Sequence, residues 1–280
     1  MENKDKFSFG RMWMVLKSDI LSNKKQIIYN LITLYGLFLL LELVFLVNSD
    51  YTFEVFTSAY AGAIDFLLSI FSFFYISTIM RPMMTKEKRI SFLMLPATNA
   101  EKFVSRLLYT TVGFFILAMI ALVAALVSRY IMLPLVSAGS EFYTNSAIVP
   151  VFKALFIEND SHFIDGSKDV LSSGVSTTLF CTIVFWTYSL YLLGGSIWYR
   201  YAFIKTIASL TVLSVLGMTV LALLASTSWF IPLLGKYPVE WAGGTAIAII
   251  VAFVAATVFN VWMSFRLFRR SQVIISNKLR

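Results

Sequence analysis

Apolar residues come in long runs along this chain, separated by short polar segments. Six runs lie near Ile27–Val47, Tyr60–Met80, Leu107–Leu133, Gly174–Gly195, Phe203–Ala225 and Gly243–Phe265. Each reaches the roughly 20 residues that an α-helix needs to cross a bilayer. The spans show no sign of strands, so the pattern predicts an all-α integral membrane protein with six transmembrane helices over residues 27–265. Ahead of the first run the rhythm changes. Phe9, Met12, Trp13, Leu16 and Ile20 recur at helical spacing, while Arg11, Ser18 and Asp19 fall on other faces. A Trp-bearing amphipathic helix over residues 7–25, with Lys24 and Lys25 at its end, suits the headgroup layer of a membrane. Residues 1–26 are thus expected to form an N-terminal interfacial helix, serving as a surface anchor or as an elbow that passes movement into the first span.

The second and third runs are separated by a segment, residues 81–106, that is too polar to lie in lipid. It carries Arg81, Lys86, Lys88, Arg89, Lys102 and Arg106. Pro96 cannot continue a helix, and Thr98 or Asn99 can cap a new one with Glu101 and Lys102 in its first turn. A short helix there runs straight into the apolar stretch from Leu107. The segment is the first candidate for a surface that meets a partner.

Composition sharpens the class. Of 280 residues, 59% are hydrophobic and 14% charged, against about 45–50% and about 25% in soluble domains. The net charge of +8 invites a nucleic-acid partner, but its distribution argues for none. Basic residues crowd the start (Lys4, Lys6, Arg11, Lys17, Lys24, Lys25), the 81–106 segment, the turn holding Arg200 and Lys205, and a tail over 266–280. The intervening loops, including a long one over residues 134–173, are poor in them. By the positive-inside rule both termini are cytoplasmic, as an even number of spans requires, and 134–173 is external. The partner implied by the charge is the anionic lipid bilayer of the cytoplasmic (inner) membrane. A charged lead followed by a full-length span is expected to stay as an anchor rather than be cleaved.

Three charges fall inside spans. Glu42, Asp65 and Arg129 sit near one end of the first, second and third runs. Such groups are costly in lipid and face a partner or a wet cavity, or else snorkel to the interface. Arg129 is expected to pair with Glu42 or Asp65 and close the outer end of a pathway. Val149–Ile157 is apolar but too short to cross, and the proline-broken stretch Trp229–Pro238 suits a short re-entrant segment. His162 is the single histidine and Cys181 the single cysteine, which leaves no metal site expected and no disulfide within the chain. There is no G-x-x-x-x-G-K-[ST], no H-E-x-x-H and no G-x-S-x-G, so catalysis and a resident cofactor are not expected here.

The segment Leu95-Pro96-Ala97-Thr98-Asn99-Ala100-Glu101-Lys102-Phe103-Val104-Ser105-Arg106 resembles the L-P-[x]-[ST]-x-x-E-x-x-x-[small]-[KR] loop of the ATP-binding-cassette (ABC) transporter type 2 permease family. Those permeases are membrane subunits of exporters with six spans, cytoplasmic ends and an N-terminal elbow helix, to which Phe9, Trp13 and Leu16 are similar in placement. The chain departs from them in having its longest external loop between the third and fourth spans. The resemblance implies a separate cytosolic ATPase that carries ATP and magnesium, and a second permease chain, identical or a paralogue. It places the ATPase contact at Pro96, Thr98, Glu101, Lys102 and Arg106, with Arg200 and Lys205 as a smaller second contact. A membrane scaffold that recruits a cytosolic partner without transport is the alternative. An integral-membrane lipid enzyme fits poorly, because the spans lack clustered His, Asp and Glu.

Overall fold

The computed structural model describes residues 7–47, 53–132, 151, 173–225 and 242–271. Among them every regular element is helical: α1 (Phe9–Ser22), α2 (Lys24–Val47), α3 (Phe53–Ser77), α4 (Lys86–Leu93), α5 (Asn99–Leu108), α6 (Phe114–Met132), α7 (Ser173–Ile197), α8 (Ala202–Ala225) and α9 (Ala242–Ser271). Six helical stretches are long and apolar enough to cross a membrane, and the third runs unbroken through α5, a widened turn over Tyr109–Gly113, and α6. In that turn the Thr110 hydroxyl donates to the Arg106 carbonyl at 3.0 Å and the Thr111 hydroxyl to the Leu107 carbonyl at 2.8 Å. Side chains thereby take up carbonyls that the wider turn leaves poorly bonded.

The chain forms two compact units, Met1–Tyr75 with Pro96–His162 and Ile76–Leu95 with Phe163–Arg280. The core of the first is a stripe on each of three helices. Leu34 and Phe38 come from α2, Phe56, Tyr60, Ile64 and Tyr75 from α3, and Phe114, Leu117, Ala118, Ala121, Leu122, Ala125 and Leu126 from α6. The three alanines let α2 approach α6 closely, where dispersion rather than water exclusion holds helices together.

In the second unit α7 packs along α9. The rings of Trp186 and Phe253 lie 4.7 Å apart, and Asn260 Nδ2 donates to Ser189 Oγ at 3.0 Å. The hydroxyls of Ser196 and Ser264 share a further hydrogen bond. Tyr191 and Phe203 stack across α7 and α8 at 5.8 Å, and Tyr201 closes the turn between these helices with φ 54°. Gly194 and Gly195 make the close approach possible. A Cβ on Gly194 would meet the Thr206 side chain, and one on Gly195 would meet the backbone carbonyl of Ser77.

Several boundaries differ from those the hydropathy pattern predicts. The amphipathic helix is shorter, with Asn23 breaking it from α2. α3 begins at Phe53 rather than near Tyr60, because Phe53–Ala59 mixes Glu54, Thr57 and Ser58 with apolar residues and escapes a hydropathy window. α4 is an extra helix inside the 81–106 segment. α9 continues to Ser271, so Arg266, Arg269 and Arg270 ride on the span's helix rather than in the tail. Apart from Val151, the 134–172 loop with His162 and the Val149–Ile157 run lies outside the described residues, as do the Trp229–Pro238 stretch and the tail beyond Ser271.

The glycine packing yields a test. Gly195→Ala is expected to destabilise the chain by about 1–3 kcal/mol, the usual cost of overpacking, seen as a lower midpoint of thermal denaturation in detergent. Gly217→Ala, with open space around the added methyl, is expected to leave that midpoint at or above wild type.

Candidate functional site

The segment before the third span is built around one carboxylate. Thr98 caps α5: its Oγ1 accepts the Glu101 N–H at 3.3 Å, and Glu101 Oε2 accepts the Thr98 N–H at 2.7 Å. This reciprocal capping box satisfies two helix-end donors at once. The other oxygen, Oε1, accepts the Ser8 N–H at 2.6 Å and the Arg11 guanidinium at 3.0 and 3.2 Å through Nη2 and Nε. Glu101 therefore joins the start of α5 to the start of α1. A second tie lies about two turns along α1, where Asp19 Oδ2 stands 3.4 Å from Arg106 Nη1. The Arg106 guanidinium also lies 5.1 Å from the centroid of the Tyr109 ring. Burial pushes the Asp19 carboxyl above the usual carboxylate range, and the Arg106 charge pulls the other way.

These ties decide which face of α1 is covered. Met12, Val15 and Asp19 are buried, whereas Phe9 and Trp13 are 76% and 63% exposed and Leu16 is half-buried. The apolar stripe legible in the sequence is split: Met12 is buried, and Phe9 and Trp13 stay exposed.

The same geometry places the residues expected at an ATPase contact. Glu101, Lys102 and Arg106 are 0%, 4% and 2% exposed. They lie within the chain, with Glu101 and Arg106 holding α1. Pro96 is exposed and Thr98 half-buried. The exposed part of the 81–106 segment is instead α4, which the sequence reading missed. Thr85 caps it, its Oγ1 accepting the Lys88 N–H at 3.4 Å. Phe92 anchors it, its ring edge-on to Phe268 at 6.2 Å. Arg89 ties it back by donating through Nη2 to the Met83 carbonyl at 2.8 Å. Lys86, Glu87 and Lys88 are exposed, and so are Ile90 (46%) and Met94 (80%). Ile90 and Met94 stand four residues apart on one face, a signal available in the sequence. Arg200 and Lys205 are exposed at the α7–α8 turn.

The intramembrane charges resolve into one pair and one separate residue. Arg129 continues the α6 stripe of Leu122, Ala125 and Leu126, and Glu42 continues the α2 stripe of Leu34 and Phe38, so helical register turns both inward. Arg129 Nε lies 3.8 Å from Glu42 Oε1, with both side chains buried. The guanidinium sits 5.1 Å over the Phe56 ring. Neither Glu42 oxygen accepts a hydrogen bond from a described residue. Nearby, Tyr60 donates to the Phe38 carbonyl at 3.3 Å, and the Tyr35 and Ser128 hydroxyls share a hydrogen bond of 2.9 Å. Asp65 is not in this layer. With α3 starting at Phe53, Asp65 lies about 18 Å along the helix from its start at about 1.5 Å per residue. It also stands one position off the buried Phe56–Tyr60–Ile64 stripe.

Removing one member of a buried pair leaves the other charge uncompensated. Arg129→Ala is expected to lower the denaturation midpoint in detergent by about 5 °C or more. The exchanged double variant, Glu42→Arg with Arg129→Glu, is expected to recover at least half of that loss. An Arg129→Ala midpoint equal to wild type would contradict the pairing.

No protein-family model, no curated protein and no solved structure matches the chain.

Proposed function

We propose that this chain is the membrane-spanning permease subunit of an ATP-driven exporter of the ABC type 2 kind, working in the cytoplasmic membrane. A separate cytosolic ATPase binds ATP and magnesium, and a second permease chain completes the translocation unit. The observation that carries the proposal is Glu101: one residue of the Leu95–Arg106 motif both closes the α5 capping box and grips α1 through Ser8 and Arg11. A motif residue in that position links the elbow helix to the segment ahead of the third span. A push on the segment is then felt by α1 and by α6, which is the mechanical requirement for coupling hydrolysis to movement of spans.

In this mechanism α4 makes the direct contact with the ATPase, through Ile90, Met94 and the basic residues Lys86 and Lys88. Pro96 separates α4 from α5, and Glu101 and Arg106 act as positioning residues. Arg200 and Lys205 supply a smaller second contact. The Glu42–Arg129 pair ties α2 to α6 near the external end and is the element that has to open for a substrate to leave.

The test is co-purification. The tagged full chain, extracted in mild detergent, is expected to bring down a P-loop ATPase, identified by mass spectrometry. Ile90→Asp with Met94→Asp is expected to reduce that recovery at least tenfold, at unchanged expression and elution volume. Recovery of no ATPase from an intact oligomer would sink the transporter assignment in favour of a membrane scaffold. Undiminished recovery with the double variant would move the contact away from α4.

A further inference from the structure

The last three turns of α9 are held in one rotational setting. Asn260, Ser264 and Phe268 stand four residues apart and point to one side, bonded to Ser189, bonded to Ser196 and packed on Phe92 respectively. The opposite face is consequently fixed as well, and all of it is exposed: Val258, Trp262, Arg266 and Arg269, with Arg270 beside them. The Arg266 guanidinium lies 5.4 Å from the centroid of the Trp262 ring. α9 contains no acidic residue, and Arg266, Arg269 and Arg270 all fall within the stretch long and apolar enough to cross the membrane. An apolar strip thus leads through an interfacial tryptophan into three guanidinium groups.

We propose that this face is a binding site for an anionic phospholipid. The acyl chains lie along Val254 and Val258, the glycerol level coincides with Trp262, and Arg266 and Arg269 take the phosphodiester. Guanidinium suits this chemistry because its planar fork donates two parallel hydrogen bonds to phosphate oxygens. Stacking on Trp262 orients the Arg266 fork at the depth where headgroups reside. A phospholipid has the same apolar-to-anionic order as the face itself. A soluble acidic segment would match the arginines but leave the apolar strip of Val254, Val258 and Trp262 uncovered. A second copy of α9 in parallel would bring like charges together. The site rests on the membrane-spanning character of α9 and stands apart from the assignment as an exporter subunit.

Native mass spectrometry of the full chain, titrated in detergent with dioleoyl-phosphatidylglycerol or dioleoyl-phosphatidylcholine, tests this. The wild type is expected to retain the anionic lipid in preference to the zwitterionic one. Each basic group near an anionic headgroup adds about fivefold, so Arg266→Gln with Arg269→Gln is expected to cut the preference by about tenfold or more. Lys24→Gln with Lys25→Gln removes two exposed charges elsewhere and is expected to keep it. Arg266→Lys with Arg269→Lys keeps the charge and the fold but loses the fork, and is expected to give an intermediate preference. An excess of inorganic phosphate is expected to leave the lipid in place. The site is overturned by equal retention of both lipids in wild type, by an unchanged preference in the Gln or the Lys arginine variant, by an equal loss in the lysine variant, or by displacement with phosphate.

Discussion

The carboxylate of Glu101 accepts hydrogen bonds from two backbone amides and one guanidinium, and the first unit's organisation outside the apolar core follows from it. A buried carboxylate is tolerable only when such donors replace the water it has lost. Here the donors come from two places: Thr98 lies three residues away, while Ser8 and Arg11 lie 93 and 90 residues earlier in the chain. Satisfying the charge therefore fixes α1 against α5. The Asp19–Arg106 pair then sets the angle, since two ties along one helix stop it from pivoting. From α5 the constraint passes into α6 without a break, through a widened turn that threonine hydroxyls support.

What was legible in the sequence reflects which interactions are local. The six spans follow from run length, and Thr98 with Glu101 is a capping signature that needs only three residues to be seen. The partner of Glu101 is a different matter, because nothing around Arg11 says which carboxylate it meets. That contact set gives Glu101 and Arg106 a role in holding α1 that their own neighbourhood in the sequence does not show. α4 escaped notice because it is eight residues long and rich in charge, and one buried ring, Phe92, holds it in place. Its exposed Ile90 and Met94 were readable as a pair four residues apart. The depth of Asp65 was misjudged because a hydropathy window starts α3 late, whereas register along the buried stripes separates Glu42 and Arg129 from Asp65.

The two charge sets sit in different surroundings. Glu42 and Arg129 are enclosed by apolar side chains and face each other at a distance longer than a hydrogen bond. Such a pair offsets only part of its own desolvation and specifies an arrangement more than it stabilises one. Arg266, Arg269 and Arg270 keep one face of α9 open to their surroundings, with the other face locked by Asn260, Ser264 and Phe268.

The proposed coupling requires that α1 be held by α5 and not merely lie beside it. Hydrogen–deuterium exchange on the full chain, wild type against Glu101→Ala, measures this directly. Loss of the carboxylate is expected to speed exchange of the α1 amides, Phe9–Ser22, by about tenfold or more, in line with the removal of about 1.5–3 kcal/mol of charge-assisted bonding. Exchange in α7 and α9 is expected to stay as in wild type, which separates release of α1 from general unfolding. Unchanged protection of α1 in the variant would contradict the account, because α1 would then be held by something other than Glu101.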